Sequence, residues 1–211
     1  MKTQVGVVAL FAALLLSSTA RASVTGASWW DDWDGALVCS GTNWNAATGV
    51  LSMSGNQYWG PGHMVGTIDT SGPEDPMITL ASGIENDTNF TWTSYIVNVY
   101  MSSTFTLTNA AVTLPIDWTI AGTVEPSSPL VSGPYAGDYE ASLTLAAGTP
   151  VAVGDELDFQ YQLKFSGSSH FAFTQEVIPV PEPGAIEFAT LGGLMLAPLA
   201  FARRSRRTPK A

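Results

Sequence analysis

Positive charge is almost missing from the middle of this chain. Sixteen of its eighteen acidic residues fall between residues 23 and 178, against Lys164 as the only lysine or arginine there, a formal −15 for that segment. A field of that sign repels phosphates and so excludes nucleic acid and anionic lipid as partners of the segment. It favours cations, neutral sugars or basic proteins; its plainest use is solubility and mutual repulsion between copies. Cysteine is nearly absent too. Cys39 stands alone, so no intramolecular disulfide can form, and a lone thiol of this kind is expected to pack as a small hydrophobe. Histidine occurs only as His63, after Gly60-Pro61-Gly62, and His170, after Gly167-Ser168-Ser169. Those neighbours predict an exposed turn and a loop, and neither histidine belongs to a His-Glu-x-x-His motif. There is no Gly-x-Ser-x-Gly elbow and no glycine-rich phosphate loop. The expectation is a protein that is not an enzyme and has no catalytic residues, although a glycosidase would need no more than two well-spaced carboxylates.

Helical periodicity is also lacking between residues 23 and 178; what is present is alternation. Leu157, Phe159, Tyr161, Leu163 and Phe165 alternate with polar residues, as do Tyr139, Ala141, Leu143 and Leu145. Phe171, Phe173, Gln175 and Val177 form a weaker third case, and the short 167–169 link predicts a hairpin between the first and third. Phe90 to Met101 is rich in β-formers and reads as a long strand buried on both faces. Shorter strands are expected at 51–54, 64–68, 77–80, 105–107 and 112–115, with Gly-Pro, Asn and Asp clusters between them. The fold class predicted is all-β, an antiparallel β-sandwich of about nine strands.

Both ends read as signals rather than as fold. Met1-Lys2, the apolar run Val5 to Leu16, and Ala20-Arg21-Ala22 make residues 1–22 a secretory signal peptide, cut between Ala22 and Ser23. At the other end, a 179–184 linker carries Val180-Pro181-Glu182-Pro183-Gly184. Ala185 to Ala202 follows, about 27 Å long as a helix, close to the roughly 30 Å of a hydrocarbon core. Glu187 in its first turn meets the positive end of the helix dipole and can reach the headgroups, whereas Pro198 near its end would kink or shorten the helix and weaken the span. A basic tail, 203–211, then carries Arg203, Arg204, Arg206 and Arg207, which should stay cytoplasmic and leave residues 23–178 outside.

The Pro-Glu-Pro motif, the apolar run and the arginine cluster together resemble the PEP-CTERM sorting domain of bacterial surface proteins. The resemblance covers about the last thirty residues and does not touch the 23–178 domain. It implies a membrane protease of the exosortase type as partner, export tied to exopolysaccharide, and a membrane-held precursor later released to the cell surface or matrix. It also implies a structural or adhesive role. Pro181 and Pro183 would keep the motif extended and unpaired for a protease cleft.

Within the domain the densest cluster is Trp29-Trp30-Asp31-Asp32-Trp33-Asp34-Gly35. Aromatic rings beside carboxylates suit sugars, the ring covering an apolar sugar face and the carboxylates taking hydroxyl protons. The plainer alternative, favoured by the burial habit of large aromatics, has the tryptophans packing an edge strand onto the sandwich while the aspartates face water. Ca²⁺ is a candidate cofactor for Asp31, Asp32 and Asp34, but the spacing fails the helix-loop-helix consensus and no set of metal ligands is assigned. Asp155-Glu156-x-Asp158 and Glu85-Asn86-Asp87 are further oxygen-rich turns, whose side chains more often serve the local backbone.

Overall fold

Alternating residues put one face of each strand inside, and two such sheets close on each other. The computed structural model describes residues 23–72, 75–121, 126–166 and 170–182. Twelve strands are found: β1 Ser23–Asp31, β2 Leu37–Asn45, β3 Val50–Gln57, β4 Gly62–Ser71, β5 Met77–Asn86 and β6 Trp92–Met101. They continue as β7 Phe105–Leu114, β8 Thr119–Ala121, β9 Ser128–Pro129, β10 Tyr139–Val151, β11 Glu156–Phe165 and β12 His170–Pro181. One sheet has seven strands, ordered β1-β4-β12-β6-β10-β8 with β9 also on β10; the other has five, ordered β2-β3-β5-β11-β7. No helix occurs among the described residues. The expected signal peptide, the apolar run and the arginines lie outside them.

The core is the sum of the inward rows. Leu157, Phe159, Tyr161, Leu163 and Phe165 of β11 and Ile78, Leu80 and Ile84 of β5 face Val97 and Val99 of β6 and Phe173 and Val177 of β12. Burying a side chain of this size contributes about 1.5–3 kcal/mol. Polar pillars tie the two sheets through this core. Tyr161 donates its hydroxyl to Gln175 and Tyr95 donates to Gln57, each bond crossing from one sheet to the other. Burial holds both phenols well above their ordinary pKa, so they remain neutral donors.

Several expectations need correction. The sandwich is not wholly antiparallel: β3 and β5 run parallel, because β4 leaves for the other sheet between them. There are twelve strands rather than nine: β1 and the polar, largely exposed β2 were not among the expected segments, nor were the very short β8 and β9, while two expected segments merge into one. The expected segments 105–107 and 112–115 belong to one strand, β7. Asn109 at φ 49° bulges it, so the inside–outside alternation slips where the register against β11 shifts. β6 is not buried throughout on both faces: Ser94, Ile96 and Asn98 on its outer face are half-buried, and Tyr100 is buried there. The 167–169 link does not close a hairpin: β11 and β12 lie in opposite sheets, and Phe165 meets Phe171 edge-on across the core at 4.7 Å.

The last correction concerns the end of the domain. β12 runs three residues past 178, pairing Pro179, Val180 and Pro181 with Tyr95, Ser94 and Trp92. Val180 and Pro181 are therefore extended but not unpaired. β4 stops pairing at Gly62, opposite Val177, so from Ile178 onward β12 is bonded on one side only. Proline, lacking an N–H, is tolerated in a strand at such a one-sided stretch.

Candidate functional site

The tryptophan–aspartate cluster straddles the end of β1 and the turn into β2, and the strand period splits it. Trp29 points inward, 2% exposed, and packs on Phe173 with ring centroids 5.8 Å apart. Trp30 points outward and is 39% exposed. Asp31 is buried and does not face water: its carboxylate accepts from the Trp33 N–H at 3.2 Å and the Cys39 N–H at 2.8 Å. That brace holds Trp33 at φ 66°, a left-handed backbone that a bulky residue rarely adopts, with its side chain 85% exposed. Asp32 and Asp34 follow the same local logic. Oδ1 of Asp32 accepts from the Asp34 N–H at 3.2 Å and Oδ1 of Asp34 from the Ala36 N–H at 2.7 Å. Trp29 thus packs as the plainer alternative has it and Asp32 and Asp34 are exposed as it expects, whereas Trp30 and Trp33 are exposed rather than packed.

Residues that sequence alone did not join to this cluster surround it. The β3–β4 turn is bonded to it through the Tyr58 N–H and the Ala36 carbonyl at 2.9 Å, bringing half-exposed Tyr58 and Trp59 to the same end of the sandwich. His63 is not in an exposed turn. It is the second residue of β4, half-buried, with Nδ1 3.4 Å from Asp32 and 3.9 Å from Asp34, and Nε2 3.4 Å from Glu176.

From His63 a polar row crosses the outer face of the seven-stranded sheet, since His63, Glu176, Asn98 and Ser142 stand opposite one another on β4, β12, β6 and β10. Glu176 accepts from Asn98 at 2.8 Å and from the Tyr100 hydroxyl at 2.9 Å, and Ser142 bonds Asn98 at 2.7 Å. Tyr135 stacks on Tyr100 with centroids 4.1 Å apart. Burial first, then the negative charge of Glu176, pushes the Tyr100 hydroxyl far up, so it acts as a neutral donor. Tyr135 is raised for the same leading reason, with Glu176 and Asp32 adding to it. The Tyr58-Trp59-Gly60-Pro61-Gly62-His63 string was the available signal: two aromatics beside an obligatory turn, with a titratable group just beyond.

The other oxygen-rich turns behave differently. Asn86 is fully buried and serves the backbone. Glu156 and Asp158 lean over Gly83 on the outer face of the five-stranded sheet, beside a groove of about 200 Å³ that Ser52 and Ser54 help to line. Burial, then the charge and hydrogen bond of Asp158, raises Glu156; burial raises Asp158, and the bond from Glu156 lowers it in part. Two carboxyls in hydrogen-bonding contact lack the roughly 5 Å separation of a retaining glycosidase pair. The fold binds a proton here that the unfolded chain releases, so stability should increase as pH falls through the raised values and be fully gained below the ordinary carboxyl range. Glu156→Gln should therefore stabilise the domain at pH 7 by a few tenths of a kcal/mol, the pair being largely exposed, and flatten that gain. Urea melts at neutral and acid pH check both signs.

No family model, no characterised protein and no solved structure matches this chain.

Proposed function

We propose that this chain is an exported surface protein, sorted by its C-terminal signal, whose β-sandwich adheres to neutral glycan of the extracellular matrix. The observation that carries the binding half is Trp33. An indole kept on a left-handed backbone and 85% exposed contributes nothing to the core and costs about 1 kcal/mol of backbone strain. Such strain is retained where an exposed ring is needed. Trp30, Tyr58 and Trp59 are exposed at the same end, beside the carboxylates of Asp32 and Asp34. Flat rings stack on the apolar faces of sugars, and carboxylates accept hydroxyl protons. The formal −15 between residues 23 and 178 selects against anionic polymers. The export half rests on the resemblance of the two termini to a signal peptide and a PEP-CTERM sorting domain.

Affinity electrophoresis tests the binding half. Residues 23–182 should be retarded in gels cast with neutral exopolysaccharide and not in gels with an anionic polymer. Trp33→Gly should cut the affinity about tenfold or more. The same change should leave stability within about 1 kcal/mol of wild type, because glycine accepts the positive φ. Equal retardation of variant and wild type would defeat the reading.

A further inference from the structure

His63 carries an unspent nitrogen. Its Nδ1 is shut off from solvent and makes no hydrogen bond, although it faces two carboxylates. In each of those aspartates Oδ1 is taken by a backbone N–H, which leaves Oδ2 as the atom aimed at the ring. The ligand atoms of Asp32, Asp34 and His63 all lie within 4.8 Å of one another. Ligands about 2.1 Å from a tetrahedral ion stand about 3.4 Å apart. The separation of 3.4 Å from Nδ1 to Asp32 equals that edge, and the 3.9 Å to Asp34 exceeds it by half an ångström, a shift that a side-chain rotation supplies.

We propose that Asp32, Asp34 and His63 form a binding site for a divalent first-row transition ion of the Zn²⁺ class. This goes beyond the glycan reading and does not depend on it. Three features support the assignment.

The donor set is one imidazole and two carboxylates, which suits a borderline ion rather than Ca²⁺ or Mg²⁺, whose sites are built from oxygen alone. The imidazole is already oriented from behind. Nε2 faces Glu176 at 3.4 Å, and Glu176 is itself fixed by Asn98 and Tyr100. A carboxylate facing the far nitrogen favours the tautomer that presents Nδ1 as a lone pair and fixes the ring's orientation. Finally, Asp32 and Asp34 keep 30% and 34% of their side-chain surface, so an ion can enter and retain water in its remaining positions.

The test is equilibrium dialysis and thermal melting of the full chain in mild detergent, with Zn²⁺, Co²⁺ or Ca²⁺ added singly. One Zn²⁺ should bind per chain and raise the melting temperature, and Co²⁺ should give the ligand-field bands of a low-symmetry N/O site. Ca²⁺ at the same concentration should do neither. His63→Ala should lose the saturable site with its metal-free melting unchanged. Glu176→Gln should weaken Zn²⁺ by about 10–100-fold, because it removes the orienting partner and not a ligand. Zn²⁺ binding that survives His63→Ala, Ca²⁺ binding as tight as Zn²⁺, or no saturable binding at all would each overturn the assignment. The last result would leave His63 as a side chain bridging Asp32, Asp34 and Glu176 without an ion.

Discussion

Asn86→Ala is expected to remove about 3–5 kcal/mol of stability, a large part of the roughly 5–15 kcal/mol a domain of this size possesses. Asn86 lies at the end of β5 and is fully buried. Its amide donates to the Phe90 carbonyl and the Val151 carbonyl, both at 3.0 Å. Its oxygen accepts from the Thr88 N–H at 3.1 Å and the Thr88 hydroxyl at 2.6 Å, and that hydroxyl accepts from the Trp92 indole at 3.1 Å. One side chain thus joins the ends of β5, β6 and β10. Alanine would leave the Val151 carbonyl and the Thr88 N–H without these bonds, at about 1–3 kcal/mol each before relaxation, and would loosen the Thr88 hydroxyl, which keeps the Phe90 carbonyl and the Trp92 indole as partners. Asn43→Ala, on exposed β2, is the matched control and should stay within about 0.5 kcal/mol of wild type. Chemical denaturation of residues 23–182 checks both. A loss at Asn86 no greater than that at Asn43 would mean the network does not hold the fold.

The second large effect concerns sorting. Replacing Pro181, Glu182 and Pro183 together with alanine is expected to leave nearly all of the chain as an unprocessed, membrane-held precursor. The folded part should not suffer. Pro181 sits where β12 pairs on one side only, and alanine fits a strand there at least as well as proline. Loss of processing would then report recognition and not unfolding. The Thr93 hydroxyl bonds the Val180 and Pro181 carbonyls at 3.4 and 3.3 Å, so a protease binding the motif as extended chain must first part the last residues of β12 from β6. One-sided pairing keeps that opening inexpensive. Gel mobility and fractionation of the two forms in the exporting cell check the outcome; identical processing of variant and wild type would contradict the role given to the motif.

What was legible in the sequence was whatever alternates. Residues 157–165 and 139–145 announced β11 and the first half of β10, because one face of each meets the core and the other meets water. β7 hid behind its bulge, where Asn109 breaks the period. β2 was silent because its residues are mostly exposed and polar, leaving no apolar face to read. The supposed hairpin failed for a different reason. A short link between two amphipathic strands is compatible with a turn inside one sheet or a crossing to the facing sheet, and periodicity does not distinguish them.

The candidate site divides the same way. Trp29, Trp30, Asp31, Asp32, Trp33 and Asp34 were visible as a local cluster, yet which of them face outward depends on the frame of β1 and on the Asp31 brace. Tyr58, Trp59, His63 and Glu176 come from other strands and turns, joined to the cluster by the Tyr58–Ala36 backbone bond and by the pairing of β1 with β4 and of β4 with β12. No spacing along the chain encodes that meeting. Asn86 was read correctly as a residue that serves the backbone, since Asn in a turn does so by its own geometry.

The central claim is that the aromatic, acidic end of the seven-stranded sheet holds neutral glycan. Its most direct test is a titration of isotopically labelled residues 23–182 with a neutral oligosaccharide from the matrix, followed by NMR shift mapping. Saturable shifts confined to Trp30, Trp33, Tyr58, Trp59, His63 and their strand neighbours are the predicted result. Shifts centred on the five-stranded sheet, or none at saturating sugar, would contradict it.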